Sequence, residues 1–369
     1  MSRDQSQGHL FRAADGAPWH FLDPADWERL GPAPLAWAAD GTTVKSSGAR
    51  KVCRKDGFFV KTEPAPGAGA LGRLRRALSP RSRAEFRALL ALRGAGIPTV
   101  EPVAWGGGGN DTLITREMPG AVTAHDFYHR AVGRDGRECP EFFRAWGAFV
   151  RGVIVSGFDH PDFHNGNILY AEAGNAFALV DVRNVRRRLF PRRRRMAMIV
   201  REFSEFLPRA RLLSLLADCG IGDAATFYRE MMRYAARFIA SEWPRREQQF
   251  FADYPKFVAV DGGRRWALSG AREKIALTGA EKIELSPATA AAWRREDFRL
   301  SLLCLPRLRI AAFEAPGTLW REAAHGPATA EGAADLRERL ELCGLNPTAY
   351  HFVADRFGRA ALCPLMARA

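Results

Sequence analysis

Residues 139–182 narrow what this chain can fold into more than any other stretch. An apolar run, CPEFFRAWGAFVRGVIVSG, is followed at once by FDHPDFHNGNILY and then by ALVDVRN. Phe142, Phe143, Trp146, Phe149, Val150 and Val153 recur at helical spacing, and Gly157 ends the helix. NILYAEAGNAFALVDV reads as two strands around a Gly-Asn turn. The polar run therefore sits between a buried helix and a hairpin.

Within it His160, Asp162 and Asn167 follow the spacing H-x-D-x-x-x-x-N. Phosphoryl transfer needs a carboxylate beside the accepting hydroxyl and oxygen ligands for Mg²⁺. Asp162 suits the first role. Asn167 can hold a metal, and Asp181, after the apolar FALV, supplies the second ligand. Gly166 lets the loop turn sharply. His160 fits better as a brace for the loop than as a reacting group.

A nucleotide also needs a cation for its phosphates. FFVKTE offers Lys61 in an apolar strand. The following helix, SPRSRAEFRALLALRGAG, has Ser79 as a cap, Pro80 in its first turn and Gly94 or Gly96 at its end. Glu85 shares a face with Leu89 and Leu92, and a carboxylate on an apolar face wants a cation. Lys61 is the expected partner, with Arg81 on the helix surface as the competitor. The phosphate loop is weak. KSSGARKV holds only Gly48, with Ser46 and Ser47 as further donors. GGGGN at 106–110 lies between two expected strands, IPTVEPVAWG and DTLITREM, and reads as a hairpin turn.

Around these motifs the order is strands with one helix, then mainly helices. TVKSSGARKVCRKDGFFVKTE contains β-type runs around an Asp-Gly turn. REFSEFLPRARLLSLLADCG, AATFYREMMRYAARFIASEW and AADLRERLELCG read as helices, KFVAVDGGRRWAL as a hairpin, and FRLSLLCLPRLRIAAF as an apolar strand or helix. The fold class expected is α+β and bilobed. It has an N-terminal extension (1–40), a small β-rich lobe (41–120), a larger helical lobe (121–244) and a C-terminal extension of unassigned role (245–369).

Composition restricts the setting. Six scattered cysteines without CxxC pairing favour free thiols in a reducing cytoplasm over disulfides or zinc. No signal-peptide layout and no membrane-spanning apolar run is read. The net charge of +14 is densest in VRRRLFPRRRR, 185–195. Arginine forks suit phosphate-bearing partners. No aromatic platform interleaves the run, so nucleic acid is not expected.

These residues together resemble the bacterial lipopolysaccharide kinases, the Kdo and heptose kinases of the inner core, within the protein-kinase-like superfamily. KSSGARKV…FFVKTE, AEFRALLALRGAGIPTVEPVAWG, LITREM, HPDFHNGNILY and LVDVRNVRRRLFPRRRR carry the resemblance over about residues 40–240. It implies ATP and Mg²⁺ as cofactors. Lys61 would bind the phosphates and Glu85 would anchor it. Glu117 and Met118 would lie at the adenine hinge. Asp162 would be the base, with His164 in the place of a protein-kinase lysine, and Asn167 and Asp181 would hold the metal. The implied acceptor is a sugar hydroxyl of an anionic glycolipid, the lipid A–core. The arginines from Arg186 to Arg195 would face it, or the cytoplasmic side of the inner membrane. Departures are Val182-Arg183 in place of Phe-Gly, Pro161 in place of Arg, and only Arg201-Glu202 for the family's basic-acidic pair. The alternatives are a small-molecule kinase of the aminoglycoside or choline type and a non-catalytic nucleotide- or lipid-binding protein.

Overall fold

The computed structural model describes residues 8–369 except 48–49, 65–79, 108–109, 132–138, 188–212, 215, 218–222, 252–256, 260–264, 269–279, 304, 309, 315–316 and 356–357, and except the end, 366–369. The chain divides into two compact units, Met1–Glu202 and Phe203–Ala369.

The first unit begins with strands β1 (His9–Arg12) and β2 (Pro18–Phe21) and helices α1 (Pro24–Leu30) and α2 (Pro34–Ala39). Strands β3 (Thr42–Ser47), β4 (Arg50–Lys55) and β5 (Phe58–Pro64) follow, then helix α3 (Arg81–Gly94) and strands β6 (Pro102–Gly106) and β7 (Asn110–Arg116). Seven strands form one sheet in the order β1-β2-β6-β7-β5-β4-β3. Every neighbouring pair is antiparallel. The β4–β5 turn is the expected Asp-Gly. Asp56 and Gly57 have φ of 47° and 81°, the mirror-image turn whose twist matches its strands.

Strand parity gives the sheet two different faces. Phe58 and Val60 point into an apolar core with Trp19, Phe21, Leu30, Val103 and Ile114, covered by Trp27 of α1 and by Leu35 and Trp37 of α2. Lys61, of opposite parity, faces the side where α3 lies. Residues 9–39, left without assigned structure by the sequence, thus add two edge strands and the cover of one face. Their apolar positions gain a partner only when the sheet assembles.

Helix α3 is capped differently from the expectation. Ser79 lies outside the described residues, and Pro80 stands at the cap position without a side-chain bond. The Asp111 carboxylate of β7 instead accepts from the N–H groups of Arg81 (2.6 Å) and Ser82 (3.0 Å).

Beyond the sheet come β8 (Val122–Thr123), α4 (Ala124–Ala131), α5 (Pro140–Val155), β9 (Phe158–Asp159), β10 (Ile168–Ala171), β11 (Ala176–Leu179) and β12 (Arg186–Arg187). Phe142, Trp146, Phe149, Val150 and Val153 of α5 are buried as their spacing predicts, whereas Phe143 is half-buried. Phe127, Phe142, Tyr170 and Phe177 pack ring against ring beneath the β10–β11 hairpin.

The second unit holds α6 (Ala224–Phe251), β13 (Phe257–Ala259), β14 (Arg265–Leu268), β15 (Ala280–Glu284), α7 (Pro287–Leu302), β16 (Ile310–Glu314), β17 (Thr318–Glu322), α8 (Ala330–Leu342), β18 (Tyr350–Ala354) and β19 (Ala360–Pro364). β13 to β17 form a five-stranded sheet and β18–β19 a hairpin. FRLSLLCLPRLRIAAF is both things at once, the end of α7 and then β16. Of the helix expected over 201–220, only 213–214 and 216–217 are described, and these are helical. Among the described residues no helix is long and apolar enough to cross a membrane.

Candidate active site

Lys61 Nζ lies 2.6 Å from Glu85 Oε2 and 3.0 Å from Asp181 Oδ1. The pair expected between Lys61 and Glu85 is present, and Arg81 turns instead to Glu63 at 3.1 Å. Burial pushes the Glu85 carboxyl above its usual range, and Lys61 opposes that rise. Burial also acts to raise Asp181, but Lys61 and Arg50 override it and hold the group down at about 2. Asp181 therefore stays a carboxylate at any physiological pH.

Three features place Asp181 there. Asn167 O accepts from Val180 N at 3.0 Å, so the β10–β11 ladder sets Asn167 and Asp181 at the same hairpin end. The loop after α3 bonds β11 through Leu179 N to Pro98 O (3.0 Å), which links the helix bearing Glu85 to the strand before Asp181. Asp181 itself has φ of 57°, a left-handed conformation that Asp tolerates better than bulkier residues.

The HPDFHNGN loop separates its residues by burial. His160, Phe163 and Asn165 are buried, while the Asp162 side chain is 71% exposed. Asn165 Oδ1 accepts from Trp146 Nε1 of α5 at 2.8 Å, inside the core. His160 Nδ1 accepts from the Asp162 N–H at 3.2 Å, which is the geometry of a brace. Burial lowers the His160 pKa, so its imidazole is neutral near pH 7. Asn167 Nδ2 donates to the Asp162 backbone O (3.0 Å) and carboxylate (3.1 Å). His164 Nε2 stands 3.6 Å from the same carboxylate, and its Nδ1 accepts from Gly166 N. Burial lowers the His164 pKa too, against the pull of Asp162. Gly166 is needed for space rather than for an unusual φ, since a Cβ there would meet the His164 ring at 2.9 Å.

Glu117 follows β7. Its N–H bonds Gly57 O (2.7 Å) and its carboxylate pairs with Arg54 (2.7 Å); Met118 is next in the chain. Ser46 and Ser47 end β3 and pair with Lys51 and Arg50, while Gly48 lies outside the described residues. Arg186 and Arg187 are exposed and pair as β12 with β9, the strand that enters the loop. The rest of the run, 188–195, and Arg201-Glu202 lie outside the described residues.

Sequence reasoning missed three residues. Arg50 Nη1 is 3.2 Å from Asp181 Oδ2. Its signal was a cation two positions after the lone glycine of the expected phosphate loop. Trp146 and Asn165 form the anchor just described; both stood in quoted stretches, but only the fold shows them in contact. Arg183 also pairs with Glu63, at 3.3 Å, tying the segment after Asp181 to β5.

The residues suit a magnesium-assisted phosphotransfer site. Asp181 offers an ionised carboxylate. Asn167, donating through its nitrogen to Asp162, keeps its amide oxygen for a hard cation. Among the described residues there is no cluster of three or more His, Cys, Asp or Glu that could hold a metal ion.

Residues 72–203 match the model of the Lipopolysaccharide kinase (Kdo/WaaP) family. Among solved structures, WaaP in complex with acyl carrier protein is 20% identical, with a TM-score of 0.43, over 65% of this chain and 98% of that one. The bifunctional kinase-methyltransferase WbdD is 14% identical, with a TM-score of 0.34, over 50% of this chain and 42% of that one. Comparison with curated proteins returns no match. The matched residues, 72–203, hold Glu85, Asp162, Asn167 and Asp181, and over them the chain is similar to a family of ATP-dependent kinases.

Proposed function

We propose that this enzyme transfers the γ-phosphate of ATP to a Kdo or heptose hydroxyl of the lipopolysaccharide inner core. One observation carries the reading. Lys61, Glu85 and Asp181 meet in a single ion network, beside a loop that presents Asp162 to solvent with the half-buried Asn167 bonded to it. Lys61 binds the nucleotide phosphates, and Glu85 keeps its ammonium in place. Asn167 and Asp181 would hold Mg²⁺, which when bound neutralises phosphate charge. Asp162 orients the sugar hydroxyl and takes its proton. His160 acts through Asp162 as a positioning residue. His164, neutral and beside the same carboxylate, limits how it can turn. Glu117 N–H is already committed to Gly57, so adenine would meet other backbone groups of the segment that holds Glu117 and Met118.

In this reading residues 41–120 act as the small lobe of a bilobed kinase-like fold and 121–244 as the helical lobe, with 245–369 as an extension. The acceptor is an anionic glycolipid. Exposed Arg186 and Arg187 begin the basic run directly beside the strand that leads into the loop, which favours a phosphate-bearing acceptor over a cationic one. The same run would give peripheral contact with the cytoplasmic face of the inner membrane.

The test is ATP consumption by the purified protein with Mg²⁺, with and without a Kdo-bearing lipid A precursor. The glycolipid should stimulate turnover, and Asp162→Asn should reduce it by about 10²–10⁴-fold. Unchanged phosphotransfer in the variant would sink the assignment. Stimulation by an aminoglycoside but not by the glycolipid would replace the acceptor class.

A further inference from the structure

A glycine-rich loop holds phosphates with backbone N–H groups that approach closely. The corresponding stretch of this sequence, KSSGARKV, has one glycine, Gly48, so another donor set is needed. Arg50 stands where that donor is wanted. It opens β4, directly across from Ser47 at the end of β3. Its Nη1 reaches Asp181 Oδ2 at 3.2 Å while Lys61 takes Oδ1 at 3.0 Å. Its Nε is buried and has no hydrogen-bond partner among the described residues. A guanidinium that uses one nitrogen on a carboxylate and leaves a buried donor unpaired is short of an acceptor.

Charge points the same way. Lys61 and Arg50 balance Glu85 and Asp181, so both oxygens of Asp181 face a cation. A metal ion arriving alone would meet those two cations. A polyphosphate brings the anionic oxygens that let Arg50 leave the carboxylate.

We propose that Arg50 is a phosphate ligand that serves in place of the glycine-rich loop. Without nucleotide it caps Asp181. With nucleotide it turns its fork onto the phosphate oxygens and gives up the carboxylate. This rests on the kinase reading above.

Isothermal titration of the full chain tests it, with MgATP and with adenosine as ligands. Arg50→Ala should weaken MgATP about tenfold or more, the range of a lost charged hydrogen bond, and leave adenosine unchanged. Arg50→Lys keeps the charge but not the fork and should recover only part of the loss. Wild-type affinity for MgATP in Arg50→Ala overturns the proposal, as does an equal loss for adenosine. The wild-type protein supplies a second reading that no folding defect can confuse. MgATP, but not adenosine, should slow phenylglyoxal modification of Arg50, followed by peptide mass spectrometry. Equal rates with the two ligands overturn the proposal. A folded wild type that binds no MgATP overturns the kinase reading, and Arg50 with it. A wild type that binds, beside an unaffected variant, overturns the role of Arg50 alone.

Discussion

Each unit of this molecule holds a cation largely out of solvent, and the two are held in different ways. In the second unit Arg321, 9% exposed, pairs with Glu281 at 2.7 Å, donates to Cys363 Sγ and lies over the Trp293 ring at 5.3 Å. Glu281 reaches solvent at its outer side. One carboxylate, one sulfur and one aromatic face hold that guanidinium against the core, although its Nε, like that of Arg50, is buried without a hydrogen-bond partner among the described residues. In the first unit Lys61, 13% exposed, has two carboxylates, and one of them has a second cation in Arg50. Among the described residues the structural arginine has a single charged partner. The site lysine has more than neutrality requires. An excess of partners allows one to be exchanged for a ligand while the rest keep the charge satisfied.

Lys61→Met breaks this contrast most sharply. It leaves Glu85 buried without its cation and should cost about 3–5 kcal/mol, the usual penalty for halving a buried pair. Thermal or urea denaturation followed in the first unit would read it. A cost below about 1 kcal/mol would mean that the network does not hold the fold. Arg321→Met should cost less, about 1–3 kcal/mol, because Glu281 can turn to water and methionine still packs on Trp293. A larger loss than for Lys61→Met would reverse the comparison.

Acid should separate the two places next. The Asp181 carboxyl is depressed from 3.8 to about 2 in the folded protein. Between those values the unfolded chain binds more protons than the native one, so stability rises with pH. The contribution is present above pH 4 and is lost as pH falls toward 2. After screening of a partly exposed group it amounts to about 1–2 kcal/mol. Denaturation across that window should show the slope in wild type and less of it in Asp181→Asn. Equal slopes would remove Asp181 from the network.

The smallest effect belongs to Glu63, which ties Arg81 and Arg183 at the edge of the site. Glu63→Gln should cost under about 1 kcal/mol, since two of the three groups are substantially exposed. A larger loss, measured by denaturation, would mark the Arg183 tie as a structural member of the site rather than a rim contact.

Much of the local structure could be read from the chain. α5 shows its apolar period, the β4–β5 turn its Asp-Gly, and the β10–β11 hairpin its Gly-Asn. The loop between α5 and β10 shows its polar residues at fixed spacing. These signals are local, because a turn or a helix face is decided by neighbours a few residues away. Glu85 could be read as well, because a carboxylate on an apolar face announces a missing cation. Residues 9–39 could not be placed. Their aromatic positions are short and irregular, and they gain a partner only across β6 and the far face of the sheet. The Asp111 cap on α3, the Trp146–Asn165 anchor and the Arg50–Asp181 contact were equally hidden. Each joins residues 19 to 131 positions apart through side chains of ordinary polar or charged type. The sequence by itself determined which elements form and which residues have the chemistry for phosphoryl transfer. Tertiary structure alone decided which cation meets which carboxylate, because such a contact depends on how strands far apart in the chain come to lie side by side.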